Sequence, residues 1–295
     1  MGTDGGGTKT DCLLMNDAGH ILGRGRGTPS NPSRIGVNAA AEGVMEAAKA
    51  ALRDASIQIE QVTDVCAGLA GVALPERAAA MRNVLAEFFR PARFELCTDL
   101  DLALSAAGPG PAIVLVAGTG SAAIGQDARG HKARSGGYGP KQSDEGSAFA
   151  IGKRAVFDSA KVNSVSAAEL SRQILEQLGG ESLQSMAGLE GVEADAVYPR
   201  VFPVVAASAD KGNELAKRIL GESAQSLAEL VTDVQGQLQL PATGFVLGKT
   251  GGMIGRSNFF DEALDAELRR VAPLARLENL QTPLAEVAAR RALSL

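Results

Sequence analysis

The chain has 295 residues, 45% of them apolar and 21% charged, with a formal net charge of −5. That composition excludes a disordered chain, and the length exceeds what one ordinary core uses, so two domains are expected. The acidic balance argues against a nucleic-acid partner, and no apolar run reaches the roughly 18 residues of a membrane span.

Met1, Gly2 and Thr3 read as a short first strand that gives Asp4 little support. Residues 11–16 read as a strand, Asp17-Ala18-Gly19 as a hairpin turn, and residues 20–26 as the returning strand. Val37, Ala41, Val44, Met45, Ala48 and Leu52 recur at helical spacing, which predicts a helix over 37–54. Thr63 to Leu69 reads as a buried strand before Gly71. A helix follows over 75–89, with Pro75 near its start, where a missing N–H costs nothing. Phe94 to Thr98 is a short strand, and Leu100 to Ala107 a helix ended by Gly108-Pro109-Gly110. Ile113 to Val116 and Ala122 to Gly125 are strands joined by Gly118-Thr119-Gly120-Ser121.

Residues 143–236 read as mostly helical. The longest helix spans 213–236, with Leu215, Ile219, Leu220, Ala224, Leu227, Leu230 and Val231 on one stripe. Phe245 to Leu247 is a strand, and helices over 258–271 and 283–294 close the chain. Strands cluster first, helices follow, and alternation then resumes, which predicts an α/β protein with two lobes. The break at Gly108–Gly110 and the return at Pro283 divide it into residues 1–108 plus 283–295, and residues 109–282 with a helical insertion.

Four segments carry chemistry. Asp4-Gly5-Gly6-Gly7-Thr8-Lys9-Thr10 combines glycines that let backbone N–H groups approach an anion with a hydroxyl, a lysine and a carboxylate. The carboxylate suits a hydrated Mg²⁺ held through water. Gly118-Thr119-Gly120-Ser121 repeats the pattern in the other half, so the pair reads as a clamp on a polyphosphate; either alone reads equally as a tight hairpin. Thr98-Asp99 puts a carboxylate at a strand end, where it can take a proton from a hydroxyl or simply cap the helix. Asp101 is its rival, in the first helical turn, where negative charge is favourable in any case. Ser135 to Gly139 and Ser143 to Ser147 combine loop glycines, an aromatic ring and adjacent acids, which suits a sugar or an ordinary surface loop.

Gly248-Lys249-Thr250 imitates the end of a phosphate-binding loop, but Gly244 leaves three intervening residues instead of four, and they read as strand. Cys12, Cys66 and Cys97 are isolated and odd in number, which predicts reduced thiols and a cytoplasmic setting. The Asp4 turn arrives at once, so no secretory leader is expected. His20 and His131 are too few for a histidine zinc site.

Taken in order, these motifs resemble the N-acetylglucosamine kinase branch of the BadF/BadG/BcrA/BcrD ATPase family over nearly the whole chain. The resemblance implies two RNase-H-like domains of the actin/hexokinase/Hsp70 type around a nucleotide cleft. It implies ATP and Mg²⁺ as cofactors, an amino sugar as substrate, and a homodimer. Asp4 would position Mg²⁺ through water, and Gly6, Gly7, Thr8, Thr119 and Gly120 would hold the phosphates. Asp99 would be the general base. Asn31, Gly137, Tyr138, Gly139 and Asp144 would contact the sugar. Ala209, Gly251 and Gly252 would touch the nucleoside.

Tyr138 stands where the family usually has tryptophan, and Pro140-Lys141-Gln142-Ser143 replaces a more apolar stretch ending in glycine. The tail Ala285 to Ala288 lacks the family's usual Gly-Ala pair. The departures on the sugar wall leave glucosamine or another hexose open as the acceptor. Two other classes also remain open: a dehydratase-activating ATPase, although the expected cysteine pair after the second hairpin is missing, and a non-catalytic sugar or nucleotide sensor.

Overall fold

The computed structural model describes residues 1–139, 144–179, 182–241 and 243–295. Pro140 to Ser143, read above as part of the sugar wall, lie outside the described residues. Two compact units emerge: Met1–Gly108 with Gln281–Leu295, and Pro109–Leu280.

The first unit runs β1 (Gly2–Gly5), β2 (Thr10–Met15), β3 (Ile21–Gly27), α1 (Pro32–Ile35), α2 (Val37–Ala55), β4 (Asp64–Leu69), α3 (Pro75–Phe88), β5 (Arg93–Thr98) and α4 (Asp99–Ala106). Its sheet has the order β3-β2-β1-β4-β5. β1 pairs antiparallel with β2 and parallel with β4. The strand that looks thinly supported in the sequence is therefore the middle of the sheet, and Asp4 sits between Asp11 and Gly68 in register. α2 lies on β3, where a Cβ on Gly25 would stand 2.0 Å from the Ala47 carbonyl oxygen. Only a strand without side chains on that face lets the helix backbone approach so closely. Val65, Leu69, Met81, Leu85 and Phe89 fill the core of this face, with Phe89 stacked 5.6 Å from Phe94.

The second unit runs β6 (Ala112–Ala117), β7 (Ser121–Gln126), β8 (Lys132–Gly136), α5 (Ala148–Lys161), α6 (Val165–Leu178), α7 (Leu183–Ala187), α8 (Gly191–Asp210), α9 (Glu214–Leu238), β9 (Thr243–Thr250), α10 (Asn258–Val271) and β10 (Leu274–Asn279). Its sheet, β8-β7-β6-β9-β10, repeats the pattern of the first: an antiparallel meander of three strands, then two parallel ones. Two strands differ from the sequence reading. β8 (Lys-Ala-Arg-Ser-Gly) is a polar edge strand with no apolar alternation, and β10 is an edge strand in the stretch between the last two helices, to which the sequence reading assigns no element. α8 stays helical through Pro199 and Pro203. The apolar stripe of α9 is buried, from Leu215 to Val234.

The chain then returns to the first unit as α11 (Leu284–Ala292). Ala285, Ala288, Ala289 and Ala292 form its buried face. A Cβ on Gly2 would lie 1.9 Å from the Ala289 backbone nitrogen, so small residues on both partners set this packing. Arg291 fixes the helix to β5 through both oxygens of Glu95, with Nε at 2.8 Å.

Candidate active site

In the first unit, the turn between β1 and β2 is closed by the Gly6 N–H donating to the Lys9 carbonyl at 3.0 Å. The Ser30 N–H donates to the Gly6 carbonyl at 3.0 Å, and the Thr10 hydroxyl donates to the Thr28 carbonyl and accepts from the Ser30 hydroxyl, both at 2.7 Å. These bonds tie the glycine turn to the segment carrying Asn31. Asn31 caps α1: its Oδ1 accepts from the Ser33 N–H at 3.0 Å and the Ser33 hydroxyl at 2.6 Å. Those two bonds fix the carboxamide through its oxygen.

Asp4 and Asp99 lie within electrostatic reach. Burial, and then the charges of Asp99 and Asp11, push the Asp4 carboxyl up to about 7, against a smaller opposing effect of Lys9. Burial favours the neutral acid, and like charges add to it. Asp99 is the first residue of α4, and the cap is not its own. Thr98 is the N-cap, accepting from the Asp101 N–H at 3.0 Å, and Asp101 returns the bond by accepting from Thr98 N–H at 3.2 Å and Oγ1 at 2.6 Å. This reciprocal capping box occupies Asp101 and separates the two rival carboxylates.

In the second unit, the turn between β6 and β7 is closed by the Gly118 N–H donating to the Gly120 carbonyl at 2.9 Å. The Ala148 and Phe149 N–H groups, the first donors of α5, bond the Gly118 and Thr119 carbonyls at 2.9 and 3.2 Å. The Ser121 hydroxyl donates to the Glu145 carbonyl at 2.6 Å. A Cβ on Gly120 would lie 2.9 Å from an Asp144 carboxylate oxygen. Gly251, at φ +116°, lies so close to β6 that a Cβ would meet the Ala117 carbonyl oxygen at 2.2 Å, and the Met253 N–H bonds that same oxygen at 3.1 Å. Thr119, Gly120, Asp144, Gly251 and Gly252 thus gather at one end of this sheet.

Gly137, Tyr138 and Gly139 follow β8. Tyr138 is 55% exposed, with the Arg134 guanidinium 4.2 Å from its ring centre. Tyr138 and Gly139 line a cavity of about 670 Å³ with Phe149, Lys153, Glu190 and Asp195; Asp144 lines a neighbouring one of about 480 Å³, and Phe149 and Lys153 line both. No sequence signal marked Lys153 or Asp195, which lie on α5 and α8, whose patterns report only their buried faces, or Glu190, which sits at the N-cap of α8. Ala209 is placed differently from a surface contact: it is 1% exposed in the core, and what its corner offers outward is the turn at Gly212, φ +92°.

A sequence model of the BadF/BadG/BcrA/BcrD ATPase family matches residues 1–275. The chain belongs to that family. Among curated family relatives, it is 28% identical over 299 residues to an N-acetyl-D-glucosamine kinase of Dictyostelium discoideum, covering 95% of this chain and 92% of that one. It is 26% identical over 270 residues to an N-acetylmuramic acid/N-acetylglucosamine kinase of Clostridium acetobutylicum, covering 89% and 88%. The solved structure of a candidate N-acetylglucosamine kinase from Chromobacterium violaceum superposes with a TM-score of 0.74 at 24% identity, covering 98% of this chain and 96% of that one. The family fold, two actin-like α/β domains, is thus the fold of this chain.

Proposed function

We propose that this family member is an amino-sugar kinase that transfers the γ-phosphate of ATP to the 6-hydroxyl of N-acetylglucosamine. The observation that carries the reading is the Asp4–Asp99 pair beside a glycine turn: two carboxylates in one field, Asp4 in β1 and Asp99 at the first position of α4 after the Thr98 cap. Support comes from the second glycine turn, with Asp144 laid over Gly120, and from relatives named for this activity.

The residues present fit a divalent cation with its water. Asp4 holds its proton up to about 7 because burial disfavours its charge and the charges of Asp99 and Asp11 add to that, and a cation there would offset both. Bound Mg²⁺ would supply neutralisation of phosphate charge. The chain's own residues do the rest. Gly7, Thr8, Thr119 and Gly120 present backbone and hydroxyl donors to the phosphates, Gly6, whose N–H closes the turn on Lys9, leaves room for their approach, and Gly251 and Gly252 leave room for the nucleoside, with Ala209 contributing backbone alone. Asn31, Asp144 and the Gly137–Gly139 segment orient the sugar. Asp99 accepts the proton of the 6-hydroxyl as its oxygen bonds phosphorus and ADP departs. Positioning and charge neutralisation are what phosphoryl transfer chiefly requires.

A sugar-dependent ADP-release assay with Mg²⁺ tests the reading, run on N-acetylglucosamine, N-acetylmuramic acid, glucosamine and glucose. Fastest turnover on N-acetylglucosamine supports it. Preference for glucosamine or glucose moves the acceptor and keeps the chemistry. ATP or sugar binding with no turnover on any sugar makes the chain a sensor or an activating ATPase instead. Sedimentation at micromolar concentration tests the expected homodimer. Among the described residues no helix is long and apolar enough to cross a membrane.

A further inference from the structure

A triphosphate brought to the glycine turn of the first unit adds negative charge beside Asp4 and Asp99, and a side-chain cation at the turn would share its neutralisation with the metal ion. Lys9 follows the glycines and is the obvious candidate in the sequence. Its Nζ bonds Asp11, the Arg26 Nε bonds the other oxygen of the same carboxylate at 2.8 Å, and no Lys9 side-chain atom is among the nearest neighbours of a Cβ built on Gly7. Lys9 and Arg26 therefore neutralise Asp11 at the start of β2.

The cation laid against the turn itself is Arg34. A Cβ on Gly7 would stand 3.4 Å from Arg34 Nη1 and 3.7 Å from its Cζ. Arg34 belongs to α1, the short helix capped by Asn31, and that cap is fixed by the Ser33 bonds already described. One structural element thus carries the proposed sugar-contacting amide at its start and a guanidinium over the proposed phosphate turn three residues later. Guanidinium is planar, permanently charged and suited to two-point contact with phosphate oxygens.

We propose that Arg34 is a phosphate-contacting residue of the transfer reaction, supplying the cation that faces the terminal phosphate of ATP at the Gly6–Thr8 turn. The proposal rests on the kinase reading of that turn. No step beyond the established balance of phosphoryl transfer is added: Arg34 keeps its charge throughout and forms no covalent bond.

The test compares the full chain with Arg34→Gln and Arg34→Lys, reading MgATP and AMP affinity by calorimetry and sugar-dependent turnover by ADP release. We expect Arg34→Gln to lower kcat by about 10²-fold, the scale of one lost charge-stabilising donor. MgATP binding should weaken about tenfold, with AMP affinity and the sugar KM within threefold of the parent. Arg34→Lys should recover part of the turnover, and millimolar guanidinium should raise the rate of Arg34→Gln. A purely structural role would instead shift the melting temperature and the sugar KM together, with no guanidinium rescue, and would overturn the proposal. So would an Arg34→Gln variant within twofold of the parent in both MgATP affinity and turnover. If the parent binds MgATP and phosphorylates no sugar, the kinase reading fails by itself, and the difference between MgATP and AMP affinity still decides the role of Arg34.

Discussion

Gly71 forms the wall against which the Asn31 carboxamide rests: a Cβ built on Gly71 would lie 2.1 Å from Asn31 Oδ1 and 3.1 Å from Ser33 Oγ. Gly71 also has φ +83°, a backbone region in which L side chains are strained. Gly71→Ala therefore does two separable things. Strain and crowding cost about 1–3 kcal/mol of stability. The displaced Asn31 should raise the sugar KM about tenfold, while the KM for ATP stays within threefold. Steady-state kinetics on a variant that still melts cooperatively checks this, and an unchanged sugar KM would remove Asn31 from the sugar site.

Asp99 and Asp101 sit two residues apart and should behave oppositely. Asp101→Ala removes half of the capping box with Thr98 and should cost about 1 kcal/mol of stability with turnover reduced less than fivefold. Asp99→Asn leaves that cap intact, so its melting temperature should stay near that of the parent. Its turnover should fall by more than about 10²-fold, the range of a lost general base. If the two variants exchange these behaviours, Asp101 is the base.

The α/β class and most elements of both units are legible in the sequence because buried strands and amphipathic helices write their burial into apolar spacing. Ile113 to Val116 and the stripe from Leu215 to Val231 are examples. Edge strands do not. β8 carries two cations and a serine among its five residues, and β10 alternates too weakly to separate from a helix end. Capping is also hidden: Thr98 and Asp99 both satisfy the N-cap preference, and only the Thr98–Asp101 hydrogen bonds decide between them. The glycine turns were visible as composition. What the sequence could not carry is which cation attends the first turn, because Lys9 is adjacent in the chain and Arg34 only in space.

The nucleotide-free protein should lose stability as pH rises toward neutrality because of Asp4. Its carboxyl holds a proton up to about 7 in the folded state and only to 3.8, the ordinary value, when unfolded. The folded state then binds more protons across that window, so stability falls from about pH 4 to pH 7 and the penalty is complete above it. Asp4→Asn removes the penalty. It should be more stable than the parent by roughly 3 kcal/mol at pH 8, with the partial exposure of Asp4 discounted, and equal to it at pH 3.5. Thermal melts across pH check this, and parallel curves for the two proteins would show that Asp4 is ordinary.

Lys249 tests the one motif that imitates a phosphate loop. It lies in β9, 3% exposed, with Nζ bonded to Asp265 of α10, which is 29% exposed. A lysine so buried is stabilised by its partner, whereas a phosphate-binding lysine needs its ammonium at the ligand. Lys249→Met should therefore act on the fold. Breaking a buried pair leaves the other charge stranded, but Asp265 reaches water, so the cost should be about 2 kcal/mol, below the usual 3–5. Lys249→Met with Asp265→Leu should regain most of that loss, since two apolar side chains replace two charges that burial penalised. The KM for ATP should remain within threefold in both variants. A Lys249→Met protein that melts like the parent and no longer binds ATP would instead make Gly248-Lys249-Thr250 a nucleotide site, and the strand reading of that segment would be wrong about its purpose.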